Sequence, residues 1–376
     1  MKLSCLQENL SKGLGIVSRA VATRTTLPIT TNVLLATDQG RLKLVATNLE
    51  IAIVTWVGAK IEEEGAITVP SRVLGEFVNS LPNDQVDLKL APATKSLEIK
   101  CARFEARISG MDAEDFPPIP EIDEGTVARI DAEVFSRSLT RVVFAAATED
   151  SRPVLTGVNA DFDGKMVTLA AADGFRLSVD KIALLEPVAE SVSVIIPARA
   201  LTEVNRLIGD SSDPVVITVN PAKSQVLFTM DNVRLISQLV QGNFPNYSQL
   251  IPQGHSTRTL VDAEEFLRAT RAASIFARDA SGIVRLQVDP GDNGLGRLTI
   301  SARAEEVGDD QGDIDAKVEG EEAKIAFNAK YLSDILSVLA KGEVVLETTN
   351  PSSPGLIRPG GDTDYVHVVM PMFVQW

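Results

Sequence analysis

The chain is poor in the residue types that catalyse reactions. His255 and His367 are its only histidines. The first stands in a polar segment and the second in a predicted strand, so we expect a solvated and a packed histidine. The carboxylates between positions 305 and 315 lack the Asp-x-Asp/Asn-x-Asp/Asn-Gly order of a calcium loop, and we interpret them as a solvated hairpin loop. The sequence therefore predicts no catalytic residue, no metal site and no cofactor.

Phosphate-binding and targeting signals are missing as well. The glycine-rich segment 291–296 lies between predicted strands and does not open a helix, and GxxxxGK[ST] does not occur. Cys5 and Cys101 form no CxxC pair, which suits free thiols in a reducing compartment. Glu8 interrupts the N-terminal segment before it could act as a signal peptide, and no apolar run approaches the roughly eighteen residues of a membrane helix. We expect a cytoplasmic protein with no membrane partner.

Length and composition set the class of protein. At roughly 150 residues per domain, 376 residues predict two or three domains. Hydrophobic residues make up 44% of the chain, enough to build folded cores. The net charge of −15 argues against a protein that holds nucleic acid by its overall field, and 5% aromatic residues are few for a protein that stacks bases.

A sequence pattern with three parts occurs three times along the chain. Equivalent positions in successive copies are 124 to 131 residues apart. Its first part is a predicted amphipathic helix. The residues on the predicted buried face of the three copies are Leu10, Leu14, Val17, Val21, then Phe135, Leu139, Val142, Ala146, then Phe266, Thr270, Ala273, Ala277. Asp131 and Asp262 stand at N-cap positions of the second and third copies. The second part is a hairpin with a predicted type I′ turn at Gln39-Gly40, Asp163-Gly164 and Asn293-Gly294. The third is a strand-to-helix step at Val69-Pro70-Ser71, Ile196-Pro197-Ala198 and Phe327-Asn328-Ala329.

These repeats predict an α+β fold made of three tandem domains, each with two helices and a mostly antiparallel sheet. We place the domains at residues 1–124, 125–253 and 254–376. Two similar proline-containing segments, 115–120 and 243–247, mark the boundaries.

The positive charge is concentrated on the predicted helices. The six repeat helices carry thirteen basic and nine acidic side chains, so they are net positive in an acidic protein. This distribution suits helices that face a polyanion. The alternative is that exposed helices simply carry arginine and lysine.

Four motifs, in this order and spacing, make the chain resemble the bacterial sliding clamps, the beta subunit of DNA polymerase III. They are RTTLPI at 24–29, ADGFRL at 172–177, FPNY at 244–247 and VVMPM at 368–372. The resemblance implies the DNA clamp fold, with two chains joined head to tail in a six-domain ring whose helices line a hole for duplex DNA. It also implies a processivity factor that makes and breaks no bond.

The resemblance implies partners and site residues too. The implied partners are a second copy of the chain, duplex DNA without sequence preference, the DNA polymerase III alpha subunit, the clamp loader, and other polymerases and repair proteins that carry clamp-binding motifs. The implied peptide-binding cleft comprises Leu155, Gly174, Phe175, Arg176, Leu177, Pro245, Leu250, Val368, Met370, Pro371 and Met372. The implied DNA contacts are Arg24 and Arg152, with Arg72, Arg137, Arg141, Arg199 and Arg206 as further helix-borne candidates. The implied dimer interface contains Ile108, Ile275 and Phe276.

Several alternatives stay open at this point. Ordinary core packing is the alternative for Leu155, Leu177, Val368 and the three interface residues. Ser248-Gln249 stands where the family often has basic residues, and Phe373-Val374-Gln375-Trp376 extends a tail that usually stops sooner. A repeat-built protein-binding scaffold without DNA encirclement is the leading rival function, and a small-molecule enzyme is the third.

Overall fold

A computed structural model describes residues 1–149, 151–278, 281–292 and 295–376. The helices are α1 (Gln7–Val17), α2 (Ser71–Ser80), α3 (Ala132–Val142), α4 (Ala198–Ile208), α5 (Ala263–Ala277) and α6 (Ala329–Val338). The strands are β1 (Lys2–Leu6), β2 (Asn32–Asp38), β3 (Arg41–Thr47), β4 (Ile51–Glu63), β5 (Ala66–Pro70), β6 (Gln85–Ala91), β7 (Ser96–Cys101), β8 (Phe104–Ser109), β9 (Thr126–Ile130), β10 (Gly157–Asp163), β11 (Met166–Ala172), β12 (Arg176–Ala183), β13 (Val192–Pro197), β14 (Val215–Val219), β15 (Gln225–Met230), β16 (Val233–Gln238), β17 (Thr257–Asp262), β18 (Ile283–Asp292), β19 (Leu295–Ala304), β20 (Gly308–Gly320), β21 (Ala323–Asn328), β22 (Glu343–Thr348), β23 (Gly355–Pro359) and β24 (Tyr365–Val369).

In the described residues, the strand-helix-strand-strand-strand motif occurs six times in succession. The first copy is β1-α1-β2-β3-β4 and the last is β21-α6-β22-β23-β24. Antiparallel ladders join the strands. The predicted α+β class with two helices per third of the chain is confirmed, and each third resolves into two copies of a half-sized motif.

The chain forms two compact units, each with its own twelve-stranded sheet. Unit 1 comprises Met1–Glu133, Val188–Glu190 and Arg199–Leu239, and unit 2 comprises Val134–Pro187, Ser191–Ala198 and Val240–Trp376. The sheet of unit 1 runs β8-β7-β6-β1-β4-β16-β15-β14-β9, with β2, β3 and β5 branching from β4, and that of unit 2 runs β13-β10-β11-β12-β24-β23-β22-β17-β20-β19-β18-β21.

The two units divide the middle third of the chain between them. Each terminal third continues its sheet into the middle third through one ladder, β4 against β16 in unit 1 and β12 against β24 in unit 2. Residue contacts therefore group the chain differently from its repeats, and the domain boundaries at 124 and 253 stay a prediction.

The predicted apolar helix faces are buried, as an amphipathic helix on a sheet requires. On α5, Phe266, Thr270, Ala273 and Ala277 are all fully buried, and Asp262 caps the helix by accepting a hydrogen bond from the Glu265 amide at 2.9 Å. The first two faces were predicted one turn too long. Helix α1 ends at Val17 and α3 at Val142, so Val21 and Ala146 lie beyond the helix ends.

The hairpins agree with the prediction in part. Gln39 and Gly40 both have positive φ, 47° and 74°, as a type I′ turn requires. In the second hairpin Asp163 pairs with Met166, so the central residues are Gly164 and Lys165, one position later than predicted. Asn293-Gly294 lies outside the described residues. The acidic segment 305–315 is mostly strand, because β20 begins at Gly308.

Two strand edges stand open in the described chain. Strand β8 pairs with β7 alone there. Strand β20 pairs with β19 from Gly308 to Lys317, but with β17 only from Lys317 to Gly320. The second edge of β20 is therefore unpaired over most of its length, where an extended chain could add to it.

The cysteines, the helices and the metal-binding residue types of the described chain have the following properties. Cys5 and Cys101 are free, buried thiols, as predicted, and burial raises the pKa of Cys5 to about 12. No helix described here has the length and apolar character to cross a membrane. Nor do the described histidine, cysteine and carboxylate side chains come together in threes as a metal ion would need.

Candidate functional site

An apolar cluster lies on the strands β11, β12 and β24 of unit 2, and we call it the unit 2 cluster. Its buried members are Ala170, Leu177, Val179 and Val368, and Leu177 stands directly opposite Val368 in the ladder. The partly buried side chains packed against them are Ala172, Phe244, Tyr247, Ile251 and Val366. Leu177 and Val368, both predicted site residues, thus form the floor of a small apolar surface that the FPNY segment lines.

A tight turn ahead of β12 forms one rim of this surface. The Asp173 carboxylate accepts hydrogen bonds from the amides of Phe175 at 2.9 Å and Arg176 at 3.0 Å. Gly174 has a φ of +96°, which side chains with a β-carbon rarely adopt. The turn leaves Phe175 56% exposed beside the floor.

Arg176 is buried and fully engaged within the protein. Its guanidinium donates to Asp173 at 2.9 Å and to Asp334 of α6 at 2.7 Å. It also lies 4.7 Å from the ring centroid of Tyr331 and 5.3 Å from that of Phe144. Two carboxylates and two rings compensate the cost of burying the charge, so Arg176 fixes the rim turn against α6.

Sequence reasoning missed Asp334 and Tyr331 as parts of this site. Both lie more than 150 positions from Arg176, and Asp334 also pairs with Lys330 one helical turn away at 2.8 Å. That local pair resembles an ordinary helix-surface ion pair. The one available signal was an aromatic residue, Tyr331, two positions after Ala329 of the strand-to-helix step.

A buried polar group lies beneath the cluster, around His367. Its ring stacks on Phe144 at 5.4 Å, and its Nδ1 is 2.6 Å from the hydroxyl of Ser178. Burial lowers the pKa of His367 to about 3, so the ring is neutral at physiological pH. The predicted packed histidine in a strand is confirmed.

The chain after β24 forms the opposite rim. The Met370 amide donates to the Phe175 carbonyl at 2.9 Å, and the Met372 amide donates to the Ala326 carbonyl of β21 at 2.8 Å. Met370 is 39% exposed, whereas Pro371 and Met372 are half-buried. Beyond them, Phe373 and Trp376 present exposed aromatic rings.

The other predicted cleft residues differ in their exposure to solvent. Leu155 is buried in the short helical turn Pro153–Thr156. Pro245 and Leu250 are exposed on the segment that carries Phe244 and Tyr247. The structure thus offers an apolar floor with a methionine rim, a surface of the kind that accepts short peptides.

The chain matches known proteins along nearly its whole length. Family models of the DNA polymerase III beta subunit match it three times: the N-terminal domain at residues 1–120, the central domain at 129–246 and the C-terminal domain at 248–373. Among curated proteins, the beta sliding clamp of Synechococcus elongatus is 33% identical over 99% of both chains. The chain belongs to the bacterial sliding clamp family.

Further relatives of this clamp agree in sequence and structure. The beta sliding clamp of Bacillus subtilis is 31% identical over 99% of both chains. The crystal structure of the sliding clamp from the same species has a TM-score of 0.94 with 30% identity and full coverage of both chains. A Pseudomonas aeruginosa sliding clamp bound to griselimycin has a TM-score of 0.91 with 29% identity, also over both whole chains.

The arginines predicted to contact DNA differ in availability. Arg24 and Arg152 are exposed in loops, and Arg137 and Arg199 are exposed on α3 and α4. Arg72 and Arg206 are paired with Glu76 at 2.8 Å and Glu203 at 2.6 Å. Arg141 is 18% exposed and held by Asp362 at 2.9 Å.

The residues predicted for the dimer interface also differ in exposure. Ile275 is 60% exposed on α5, Phe276 is half-buried against the core, and Ile108 of β8 is 7% exposed. Phe104, which the sequence did not single out, opens the same strand as Ile108 and is 51% exposed. An aromatic residue directly after a hairpin turn was the available signal.

Proposed function

We propose that this sliding clamp closes around duplex DNA as a head-to-tail dimer and tethers the replicative polymerase to its template. The observation that carries the proposal is a pair of open strand edges in a repeated fold. Strands that end a motif meet pairwise within the chain, β4 with β16 and β12 with β24. By the same repeat, β20 should meet a strand equivalent to β16 and β24, and that strand is β8.

A second copy of the chain can supply the missing partner. Within unit 1, β16 residues 233–237 pair with β4 residues 51–55. In the repeat, β8 corresponds to β16 and β20 corresponds to β4. The same register would therefore place residues 104–107 of β8 in one copy opposite residues 309–312 of β20 in the other. Arg107 then faces Asp309, and the apolar side chains of Phe104 and Ile108 lie on the side of Ile275 and Phe276. Because each chain has one edge of each kind, two chains can pair both edges head to tail, and we propose that they close a ring of six domains.

The charge distribution suits a ring that surrounds DNA without gripping it. A net charge of −15 repels DNA from the protein as a whole, while Arg24, Arg152, Arg137 and Arg199 offer exposed charges to the phosphates. We assign Arg72, Arg206 and Arg141 weaker roles, because each already has a carboxylate partner. Such contacts carry no sequence information and permit sliding.

The rim and floor of the unit 2 cluster form the docking site for partner peptides. We assign it to peptides of the DNA polymerase III alpha subunit, the clamp loader, and other polymerases and repair proteins with clamp-binding motifs. Tethering raises the effective concentration of the polymerase at the primer end. The clamp itself makes and breaks no bond. A scaffold that does not encircle DNA is not favoured, since the curated relatives are sliding clamps.

Particle images together with a solution mass test this proposal. At micromolar concentration the mass should be near twice 40.3 kDa, and class averages should show a hexagonal ring with a central hole. A monomer at that concentration, or a dimer without a hole, would contradict it.

A further inference from the structure

The rim turn of the unit 2 cluster has a counterpart in unit 1. The Asn48 side chain accepts hydrogen bonds from the amides of Glu50 at 3.0 Å and Ile51 at 2.9 Å, as Asp173 does for Phe175 and Arg176. The Gln238 amide donates to the Glu50 carbonyl at 3.0 Å, as Met370 does to Phe175. Unit 1 therefore repeats the backbone frame of the proposed peptide cleft.

An apolar cluster fills this second frame, and we call it the unit 1 cluster. Its buried members are Ile29, Val45, Val54, Phe116, Ile122, Leu227 and Ile236. Beside it lies a cavity of about 90 Å³, lined by Leu49, Ile51, residues 117–120, Ile236 and Gln238 among others. Since sites for drug-sized ligands take roughly 300–1,000 Å³, this cavity admits one apolar side chain.

Leu49 at the mouth of this cavity is both strained and exposed. Its φ is +76°, close to the +96° of Gly174 at the same place in the unit 2 turn. A leucine rarely adopts this conformation, and this one is 54% exposed. Folding alone does not call for a leucine there, because a glycine would relieve the strain. Strain held at an exposed apolar residue points to a binding role.

Unpaired positive charge lies next to the unit 1 cluster, around Trp56. Arg41, Lys43 and Arg234 lie 5.4, 5.9 and 5.2 Å from the centroid of its ring. None of the three forms an ion pair in the described chain, and the nearby Asp38 accepts the indole N–H at 2.7 Å. Trp56 itself packs against the cluster, so an acidic segment that reached the cavity would also meet these cations.

We propose that the unit 1 cluster is a second peptide-binding site of the clamp, for an acidic, extended segment of a partner protein. One apolar side chain of the segment enters the cavity against Leu49, and its carboxylates lie over the cations around Trp56. The choice of a peptide as ligand rests on the function proposed for the unit 2 cluster, whose frame it shares.

Methyl NMR of the full-length protein tests the second site and the first in one sample. The isoleucine δ1 methyls are labelled, and the probe is the hexapeptide Glu-Glu-Leu-Ser-Leu-Phe. Ile251 packs on the unit 2 cluster and reports the first site, whereas Ile119 and Ile236 report the second. We expect Ile251 to shift at low peptide concentration, and Ile119 and Ile236 to follow with their own saturation curve.

Three variants sharpen the test. Leu49→Gly fits the backbone, and should weaken the Ile119 and Ile236 curve at least tenfold without moving that of Ile251. Arg234→Glu should weaken it several-fold, and replacing the two glutamates of the probe by lysines should have the same effect. Leu185→Gly, which removes an equally exposed leucine outside both clusters, should leave it unchanged.

The outcomes separate the two proposals. Unshifted Ile119 and Ile236 methyls at tenfold the peptide concentration that saturates Ile251 would overturn the second site. Equal shifts in Leu49→Gly, or with the lysine probe, would also overturn it. An unshifted Ile251 would instead contradict the peptide-docking function of the unit 2 cluster.

Discussion

The two sheet junctions within the chain share a backbone and differ in what they bury. At one ladder position β4 sets Ile53 opposite Leu235 of β16, and at the equivalent position β12 sets Ser178 opposite His367 of β24. The first pair is purely apolar, whereas the second belongs to a buried polar group. The repeat therefore fixes the frame, and the side chains decide what each junction does.

The third junction, which we propose forms between β20 of one copy and β8 of another, is left open within the described chain. At each closed junction, the last strand of one motif pairs with the last strand of another motif. A second copy of the chain can provide the same pairing at the open edges of β20 and β8. In the proposed ring, closure by dimerisation would let the two chains separate, as loading onto DNA would require.

The largest expected effect comes from disrupting the open junction. Ile275→Asp combined with Phe276→Asp should weaken the dimer about a thousandfold, because charges would be buried unpaired in an apolar contact. Sedimentation velocity should then show monomers at micromolar concentration. Ile275→Asp alone, at an exposed position, separates the interface from the core. A stable dimer of that folded variant would count against the interface.

A smaller effect is expected when the rim of the unit 2 cluster is removed. Deleting residues 370–376 should lower the affinity for a Gln-Leu-x-Leu-Phe peptide about a hundredfold, since Met370 and Met372 hold the rim. Fluorescence anisotropy measures this, and the dimer mass should not change. Deleting residues 373–376 alone is the matched control and should retain binding. Full affinity in the longer deletion would show that the rim is wrongly assigned.

Arg176 distinguishes the two junctions in stability. Arg176→Ala leaves Asp173 without its buried partner and Asp334 with Lys330 alone, and should cost about 3 kcal/mol of unfolding free energy. Denaturant unfolding gives this value, and peptide affinity should fall as the rim loosens. Arg176→Lys should recover only part of both, because an ammonium cannot form the same two-sided contact. A loss below about 1 kcal/mol for Arg176→Ala would mean that Arg176 does not hold the turn.

Acid should destabilise the His367 junction specifically. The native pKa of about 3 lies below the ordinary value near 6.5, so the unfolded chain binds a proton first and stability falls as pH drops below about 6.5. Between pH 6.5 and 5, proton binding to the unfolded chain at this residue lowers the free energy of unfolding by about 1.6 kcal/mol. His367→Gln should remove that part of the pH dependence. Parallel pH profiles for the two proteins would contradict a buried, neutral His367.

The sequence predicted what depends on local periodicity and repetition. The buried face of α5, the cap at Asp262 and the strand-to-helix step at Pro70 all follow from nearest-neighbour patterns, and all are present. The Asp163-Gly164 turn was one residue off, because ladder register decides which residues are central. Arg176 was predicted as a cleft residue. Its partners Asp334 and Tyr331 were not predicted, because they lie on a helix that is distant in the sequence. Contacts between distant segments leave no periodic trace.

Retention on circular and linear DNA tests encirclement most directly. A protein held only by six or more phosphate contacts loses about a thousandfold in affinity between 50 and 200 mM salt. Loaded onto closed circular duplex by an ATP-driven clamp loader, this clamp should stay bound in high salt, and a single double-strand cut should release it within the time needed to slide to an end. Equal retention on circular and linear DNA would contradict encirclement and the function built on it.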